Sequence, residues 1–385
     1  MKVALAHDYL REYGGAERVL EALHEIFPNA PVYTAYVNLE AMGENGKRFK
    51  DWDIRPSWFQ KFPFANKLLS PCRVFACLMF ESFDLSEYDL VISSSAIYFA
   101  KAVITKPETL HLSYIHTPPR FLYGYVTSFN YKKNFITRIL GELANHILRI
   151  YDFETSQRPD ILIANSKNVQ ERIKKFYRRD SVVIYPPVDL AEFKIQNSKI
   201  KNTNQNSKFY YLVLSRLVRG KGVEVVVEAC GRLGLPLKVA GSGPELKNLK
   251  KLATNYQLPT TFLGWVSDQD RVELLSNAQA LIVASEDEDF GITSIEAQVC
   301  GTPVIAPLSG GFLETVIDGK TGLLYGCPGQ ISVDSLIEVL KRFDDTNHRI
   351  KTEDCRKNAE KFGKVRFKKE ILELVEKNLE DLTEY

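Results

Sequence analysis

Short apolar runs alternate with helical patterns along the first half of the chain. The runs that predict strands cover residues 2–7, 89–93, 110–115, 161–165 and 182–188. Between them, apolar residues recur at helical spacing, most clearly over residues 15–26 and 168–177. Continuous apolar runs are typical of strands buried on both faces, and their alternation with helices predicts a doubly wound parallel sheet.

A polar stretch at residues 190–208 interrupts this pattern, and a second alternating series follows it. The predicted strands of the second series cover residues 209–214, 237–240, 261–263, 281–284, 303–306 and 321–325. The predicted helices between them cover residues 223–233, 244–255, 268–276 and 291–299. We therefore predict an N-terminal Rossmann-like domain (1–190), a connection (191–208), a second Rossmann-like domain (209–364) and a C-terminal helical segment (365–385).

Size and composition fit a globular protein of two domains. The chain has 385 residues, 45% of them hydrophobic and 25% charged, and no apolar run approaches the roughly 20 residues of a membrane-spanning helix. The net charge of +2 disfavours nucleic acid as the main partner. His7, Asp8 and Arg11 interrupt the first apolar run too early for a signal peptide. The six cysteines form no CxxC pair, so we expect reduced thiols in a cytoplasmic protein.

An acidic segment follows the predicted strand at residues 281–284. Glu288 lies on the loop, Gly291 opens the next helix, and Glu296 projects from that helix. Open α/β sheets bind ligands at the carboxyl ends of their strands. Carboxylates there suit hydrogen bonds to hydroxyl groups, while the free N–H groups of the helix N-terminus take a phosphate. The alternative is an acidic loop that caps the helix, with Glu296 on the solvent-exposed face.

Two other loops carry candidate phosphate ligands. Arg216 and Lys221 follow the strand at residues 209–214, and both side chains bind phosphate oxygens well. Gly14 and Gly15 follow the first strand and open the first helix, where glycines let the backbone approach a ligand. A solvated basic loop and a tightly packed turn are the respective alternatives. The missing GxGxxG pattern disfavours a nicotinamide cofactor.

Further candidates lie at other predicted strand ends. His116 follows the strand at residues 110–115 and precedes two prolines that restrict its backbone; a structural histidine is the alternative. Trp265 follows Gly264 and fits either stacking on a base or packing. Asp8 ends the first strand, where it would help to orient an acceptor, and Glu314 follows a Gly-Gly pair.

Together these motifs resemble the retaining GT-B glycosyltransferases of the large fourth family, whose signature is a pair of glutamates with seven residues between them. The resemblance covers most of the chain and is densest over residues 209–325. It implies that Glu288 contacts the transferred sugar, Glu296 the nucleotide ribose, and Arg216 with Lys221 the diphosphate. It adds further donor-binding positions: Gly15, Gly264, Trp265, Phe290, Gly291 and Ile292.

The resemblance also implies a chemistry. His116 would lie near the reacting sugar carbon and act with Arg216, Lys221 and Glu288 in catalysis, and Glu314 would hold the sugar end of the donor. We expect a nucleotide-diphosphate hexose as donor, UDP-glucose before GDP-mannose, with no metal or cofactor. The C-terminal helix would cross back onto the first domain. A GT-B epimerase, a phosphorylase and a non-catalytic nucleotide-binding module remain as alternatives.

Two stretches of the first domain bear on the acceptor. Residues 58–80 are rich in aromatic and aliphatic side chains, and residues 135–151 form an amphipathic pattern beside Lys132, Lys133, Arg138 and Arg149. Both patterns suit docking at a membrane interface, with an ordinary core helix or lid as the alternative. Docking at the inner face of the membrane would favour a lipid-linked saccharide as acceptor.

Overall fold

A computed structural model describes residues 1–127, 135–191, 193, 210–256, 260–327, 331–346 and 349–383. The chain divides into two compact units. The first comprises Met1–Tyr125, Asn130–Pro187 and Val365–Tyr385, and the second is formed mainly by Val188–Lys364. The predicted connection at residues 191–208 lies almost entirely outside the described residues, as do Lys132 and Lys133.

The first unit is built on a parallel sheet, which confirms the predicted fold class. Within the described residues the strand order is β3-β2-β1-β4-β5-β6-β7. The strands are β1 (Val3–His7), β2 (Val32–Thr34), β3 (Ile54–Pro56), β4 (Leu90–Ser95), β5 (Leu110–Ile115), β6 (Ile161–Ala164) and β7 (Val182–Val183). The strand predicted at residues 182–188 is much shorter than expected, because prolines at 186 and 187 have no N–H group to donate.

Helices flank this sheet. They are α1 (Gly15–Ile26), α2 (Ala65–Leu68), α3 (Ala76–Glu81), α4 (Phe135–Ser156) and α5 (Lys167–Tyr177). Short 3-10 helices lie at Glu40–Phe49, Trp58–Lys61, Pro71–Phe75 and Ala100–Ala102. The core between α1 and the sheet contains Leu5, Leu20, Leu23 and Ile92, all nearly inaccessible to solvent, so the apolar stripe predicted for residues 15–26 meets the sheet as expected.

The second unit has its own parallel sheet with the strand order β10-β9-β8-β11-β12-β13. The strands are β8 (Tyr211–Leu214), β9 (Leu237–Ala240), β10 (Thr260–Gly264), β11 (Leu281–Ile282), β12 (Val304–Pro307) and β13 (Gly322–Tyr325). The helices are α6 (Val223–Leu233), α7 (Leu246–Asn255), α8 (Asp268–Asn277), α9 (Ile292–Val299), α10 (Phe312–Thr315), α11 (Val333–Thr346) and α12 (Thr352–Ala359), with a 3-10 turn at Glu360–Phe362.

The last helix, α13 (Lys364–Thr383), belongs to the first unit except at its first residue. Phe367 is buried and contacts Tyr114 of β5 edge to face, with ring centroids 5.9 Å apart. Ile371 and Val375 extend the same contact along the helix, and the Arg366 guanidinium donates a hydrogen bond to the Tyr185 carbonyl. The C-terminal helix is therefore part of the core of the first unit.

Helix α4 packs on its unit through polar groups. The Asp152 carboxylate is buried, 2.5 Å from the ammonium of buried Lys101. It also accepts hydrogen bonds from the hydroxyls of Tyr123 and Tyr177. The outward face is apolar: Leu143 is 61% exposed. The interpretation of this face as part of an ordinary core helix is therefore wrong. No helix in the described part of the chain is long and apolar enough to cross a membrane.

The buried pair predicts the cost of removing one partner. In Asp152→Ala the Lys101 ammonium keeps its burial and loses its counter-ion, so we expect the free energy of unfolding of the first unit to fall by about 3–5 kcal/mol. Urea denaturation measures this change. The matched control is Glu44→Ala, which removes an exposed partner of Lys47 and should change the free energy by about 0.5 kcal/mol or less. Equal losses in the two variants would contradict the assignment.

Candidate functional site

In the second unit, the loops after β8, β11 and β12 touch through their backbones. The Glu286 N–H donates to the Gly220 carbonyl at 3.1 Å, and the Gly311 N–H donates to the Glu288 carbonyl at 2.9 Å. A Cβ atom at Gly222 would lie 2.0 Å from the Ala284 carbonyl oxygen. Since no side chain fits in such a contact, glycine at these positions lets the loops assemble at one edge of the sheet.

A direct contact joins two of the predicted site residues, Lys221 and Glu288. The Lys221 ammonium lies 2.8 Å from a Glu288 carboxylate oxygen, and both side chains are partly buried. The cation predicted to bind the diphosphate thus holds the carboxylate predicted to bind the sugar. Arg216 lies on the same loop with an exposed side chain. The structure therefore brings two of the four predicted catalytic residues into direct contact and places a third on the same loop.

Helix α9 begins four residues after Glu288, and its N-terminus is tightly packed. Gly291 precedes the helix with a φ of +90°, a conformation that favours glycine, and Ile292 is its first residue. The Phe290 side chain is 2% exposed and packs against Phe362. The ring therefore anchors the loop. Because the ring is buried, only the backbone of Phe290 could make the predicted donor contact. The buried Ser294 hydroxyl, in the first turn, has no hydrogen-bond partner among the described residues.

Glu296 does not lie on a solvent-exposed face. Its side chain is 1% exposed, with a carboxylate oxygen 3.5 Å from the Arg271 guanidinium. Arg271 also contacts Asp268 at 3.0 Å. The solvent-face alternative is therefore wrong, and the predicted ribose contact of Glu296 stays a prediction. Sequence reasoning missed Arg271, although it is the one basic residue in the predicted helix 268–276.

The remaining predicted donor residues of this unit lie at the same sheet edge. Gly264 ends β10 with a φ of +73°, and its carbonyl accepts a hydrogen bond from the Gly241 N–H at 2.7 Å. Trp265 is 64% exposed, which rules out the core-packing alternative. Glu314, on α10, is partly buried and follows the glycine pair that contacts the Glu288 loop.

In the first unit, the structure places Gly15 and His116 at the carboxyl edge of the other sheet. Gly15 is the first residue of α1 and is exposed, and the Gly14 N–H donates to the Glu17 carboxylate at 2.7 Å. His116 follows β5, with Nε2 2.8 Å from the Ser94 hydroxyl. Burial, followed by the nearby His7, lowers the pKa of His116 to about 3. The imidazole is therefore neutral at physiological pH.

The structure gives Asp8 a different role from the predicted one. Its carboxylate is 3% exposed and accepts hydrogen bonds from four backbone N–H groups. These belong to Ala96, Ile97, Tyr98 and Ala100. Four donors occupy both oxygens, so Asp8 holds the turn after β4 instead of orienting an acceptor. In the sequence, the position of Asp8 at the end of a strand fits both roles equally well.

The glycine loops yield a matched pair of substitutions. Gly310 has a φ of +57°, and a Cβ there would lie 2.5 Å from the Glu288 carbonyl oxygen. Gly319 has a φ of +72°, but a Cβ there would have no neighbouring atom within 4 Å. We expect Gly319→Ala to lower the free energy of unfolding by about 1–2 kcal/mol and Gly310→Ala by about 2–5 kcal/mol. Denaturation curves measure both, and equal losses would show that the loop contact contributes nothing.

Comparison with known proteins places this geometry in a family. The model of the family described as glycosyl transferases group 1 matches residues 194–362. An alpha-1,3/1,6-mannosyltransferase ALG2 of Dictyostelium discoideum is 25% identical over 84% of this chain and 86% of its own length. A D-inositol 3-phosphate glycosyltransferase of Pseudarthrobacter chlorophenolicus is 32% identical, over 42% of this chain and 43% of its own length.

Solved structures match nearly the whole chain. HepE from Anabaena, solved in complex with UDP-glucose, superposes with a TM-score of 0.69 at 20% identity, over 98% of this chain and all of its own. Sucrose-phosphate synthase from Thermosynechococcus elongatus gives a TM-score of 0.71 at 18% identity, over 99% of this chain and all of its own. With its two parallel-sheet units the chain has the GT-B fold, and its residues 194–362 match the family of group 1 glycosyltransferases.

Proposed function

We propose that this glycosyltransferase moves a hexose from a nucleotide-diphosphate sugar to a saccharide acceptor, without a metal ion and with retention at the sugar carbon. One observation carries the proposal. The Lys221–Glu288 ion pair lies at the loop that leads into α9, so a cation, a carboxylate and the N–H groups of a helix N-terminus share one sheet edge. A diphosphate bound to a sugar requires these three kinds of group.

The ion pair gives the donor a defined way to bind. Lys221 would exchange the Glu288 carboxylate for a phosphate oxygen, and Glu288 would then accept a hydrogen bond from a sugar hydroxyl. Negative charge grows on the diphosphate as the bond to the sugar carbon breaks. Lys221 and Arg216 would stabilise that charge without a divalent ion.

Retention requires that the acceptor attack from the side of the leaving group or that a covalent intermediate form. Retaining glycosidases use two carboxylates about 5 Å apart for the second route. Glu288 is instead held by a lysine, and the described hydrogen-bond partner of the His116 ring is a serine. We therefore favour the first route. The acceptor oxygen bonds to the sugar carbon as the bond to the β-phosphate breaks, and the acceptor proton passes to that phosphate.

The donor we favour is UDP-glucose. Support comes from HepE, which shares the fold and was solved with UDP-glucose. GDP-mannose is second, since the ALG2 relative is a mannosyltransferase. A nucleotide-sugar epimerase or a non-catalytic nucleotide-binding module would bind the same nucleotide, but neither would transfer the sugar to an acceptor.

The proposal predicts selective loss of transfer in Lys221→Met. Without the ammonium, we expect kcat to fall about 10²–10³-fold, because one fixed donor to the developing charge is lost. The measurement is transfer of labelled glucose from UDP-glucose in EDTA, with calorimetric titration of UDP, GDP and ADP beforehand. Lys250→Met, which changes an exposed lysine on α7, is the matched control. Full turnover in Lys221→Met, or a sugar adduct on any side chain, would overturn the mechanism.

We propose a lipid-linked saccharide as acceptor, presented at a membrane that the first unit contacts. The outward face of α4 carries exposed apolar side chains along its length: Phe135, Ile139, Leu140, Leu143, Ile147 and Ile150. Asp152 faces inward to Lys101, and these residues lie on the opposite, exposed face of α4. Patches of this kind mark interaction sites.

The stretch from α2 through α3 extends this surface with further exposed apolar side chains. Phe64 is 75% exposed and Leu78 is 54% exposed. Arg158, just beyond α4, bonds both to Glu81 of α3 and to the Ala102 carbonyl, so the two stretches are neighbours. Exposed Lys61, Lys67 and Arg138 accompany the apolar side chains, a combination that suits an anionic lipid surface.

Vesicle binding tests this surface. We expect the protein to sediment with vesicles of phosphatidylglycerol and phosphatidylcholine, and less at high salt. Leu143→Glu with Ile147→Glu should weaken binding at least about tenfold, since each buried apolar side chain contributes about 1.5–3 kcal/mol. Val365→Glu, at an exposed apolar position on α13, is the matched control. Equal binding by all three proteins would refute the surface.

A further inference from the structure

A line of buried polar side chains connects the loop at Gly14 to His116 within the first unit. The Glu17 carboxylate accepts from the Gly14 N–H through one oxygen, and its other oxygen lies 3.5 Å from His7 Nε2. His7 Nδ1 lies 3.0 Å from the Ser94 hydroxyl, and that hydroxyl lies 2.8 Å from His116 Nε2. Glu17, His7 and Ser94 are each at most 5% exposed.

The chemistry of these groups sets the direction of each hydrogen bond. An ionised carboxylate only accepts, so Glu17 requires a proton on His7 Nε2. With only that proton on the ring, His7 has a bare Nδ1, which would accept the single hydroxyl proton of Ser94. The Ser94 oxygen in turn accepts from His116, so the His116 proton lies on Nε2. The Nδ1 atom of His116 is left as a hydrogen-bond acceptor.

The order reverses when His7 takes up a second proton. His7 Nδ1 then donates to Ser94, and the Ser94 proton turns to His116 Nε2. Neutral His116 must now carry its proton on Nδ1 and becomes a donor there. Besides Glu17 on α1 and His116 after β5, two other polar residues lie next to His7. Thr34 of β2 is in register with His7, and the neighbouring Asp8 carboxylate accepts hydrogen bonds from the backbone after β4.

We propose that Glu17, His7 and Ser94 are positioning residues that fix the tautomer of His116, so that its Nδ1 accepts a hydrogen bond from a sugar hydroxyl. The consequence for catalysis rests on the proposed function; the tautomer itself does not. The Glu17 carboxylate also accepts a hydrogen bond from the Gly14 N–H. The relay therefore links the orientation of the glycine loop to whether His116 Nδ1 donates or accepts a hydrogen bond.

Nuclear magnetic resonance of protein labelled with ¹⁵N only at histidine tests the relay, because the two tautomers have different nitrogen shifts. The chain has six histidines, and His116→Gln assigns the signal. We expect a proton on Nε2 in the wild type at neutral pH and mixed tautomers in Ser94→Ala and His7→Gln. Ser94→Thr keeps the hydroxyl and should restore the wild-type tautomer. His146→Gln, which changes an exposed histidine on α4, is the control.

Activity gives the second readout. We expect kcat to fall about tenfold in Ser94→Ala, corresponding to one lost hydrogen bond, with a smaller change in the donor KM and recovery in Ser94→Thr. Two results would overturn the relay: a wild-type His116 with its proton on Nδ1, or a tautomer that is unchanged in both Ser94→Ala and His7→Gln. Neither result would affect the proposed function if the protein still transferred sugar. Absence of transfer in a wild type that shows the expected tautomer would instead overturn the proposed function.

Discussion

In a parallel sheet the carboxyl ends of all strands lie at the same edge, and this constraint decides where each unit can form a site. In the second unit, β8, β11 and β12 end side by side, so loops distant in sequence meet. They meet at backbone distance only because residues such as Gly222 and Gly310 lack a side chain. The cations and carboxylates carried by these loops are then held on a surface of backbone amides, where charged ligands bind.

Glu288 and Glu296 each lie beside a cation, but their surroundings differ. Glu288 is 17% exposed and held by Lys221, whereas Glu296 is 1% exposed and held by Arg271. A partly exposed pair is easily exchanged for a ligand, since water shares the cost of separating the charges. A buried carboxylate keeps its partner, because leaving it unpaired costs several kcal/mol. Glu288 therefore suits a partner exchange during binding, and Glu296 suits a fixed position.

The sequence predicted those features that depend on local pattern. Helix α6 was predicted at its observed bounds, since its apolar stripe and the glycine after it are local signals. The three-residue strands β2 and β3 were not predicted, because three residues give no period to detect. The relay from Glu17 to His116 was equally invisible: His7 and Ser94 are 87 residues apart in sequence. The burial of Glu296 likewise depends on an arginine from another helix.

Helix α4 shows most clearly what a periodic pattern leaves open. The spacing of its apolar residues predicts a helix but does not say which face meets the protein. In an ordinary amphipathic helix the apolar stripe is buried, yet here Asp152 is buried and Leu143 is exposed. The deciding partners, Lys101, Tyr123 and Tyr177, lie elsewhere in the sequence. A buried charge must keep its partner, so the face of α4 that carries Asp152 meets the protein and the apolar stripe lies on the other face. Large exposed apolar patches mark interaction sites, and α4 is the observation on which the proposed lipid contact depends.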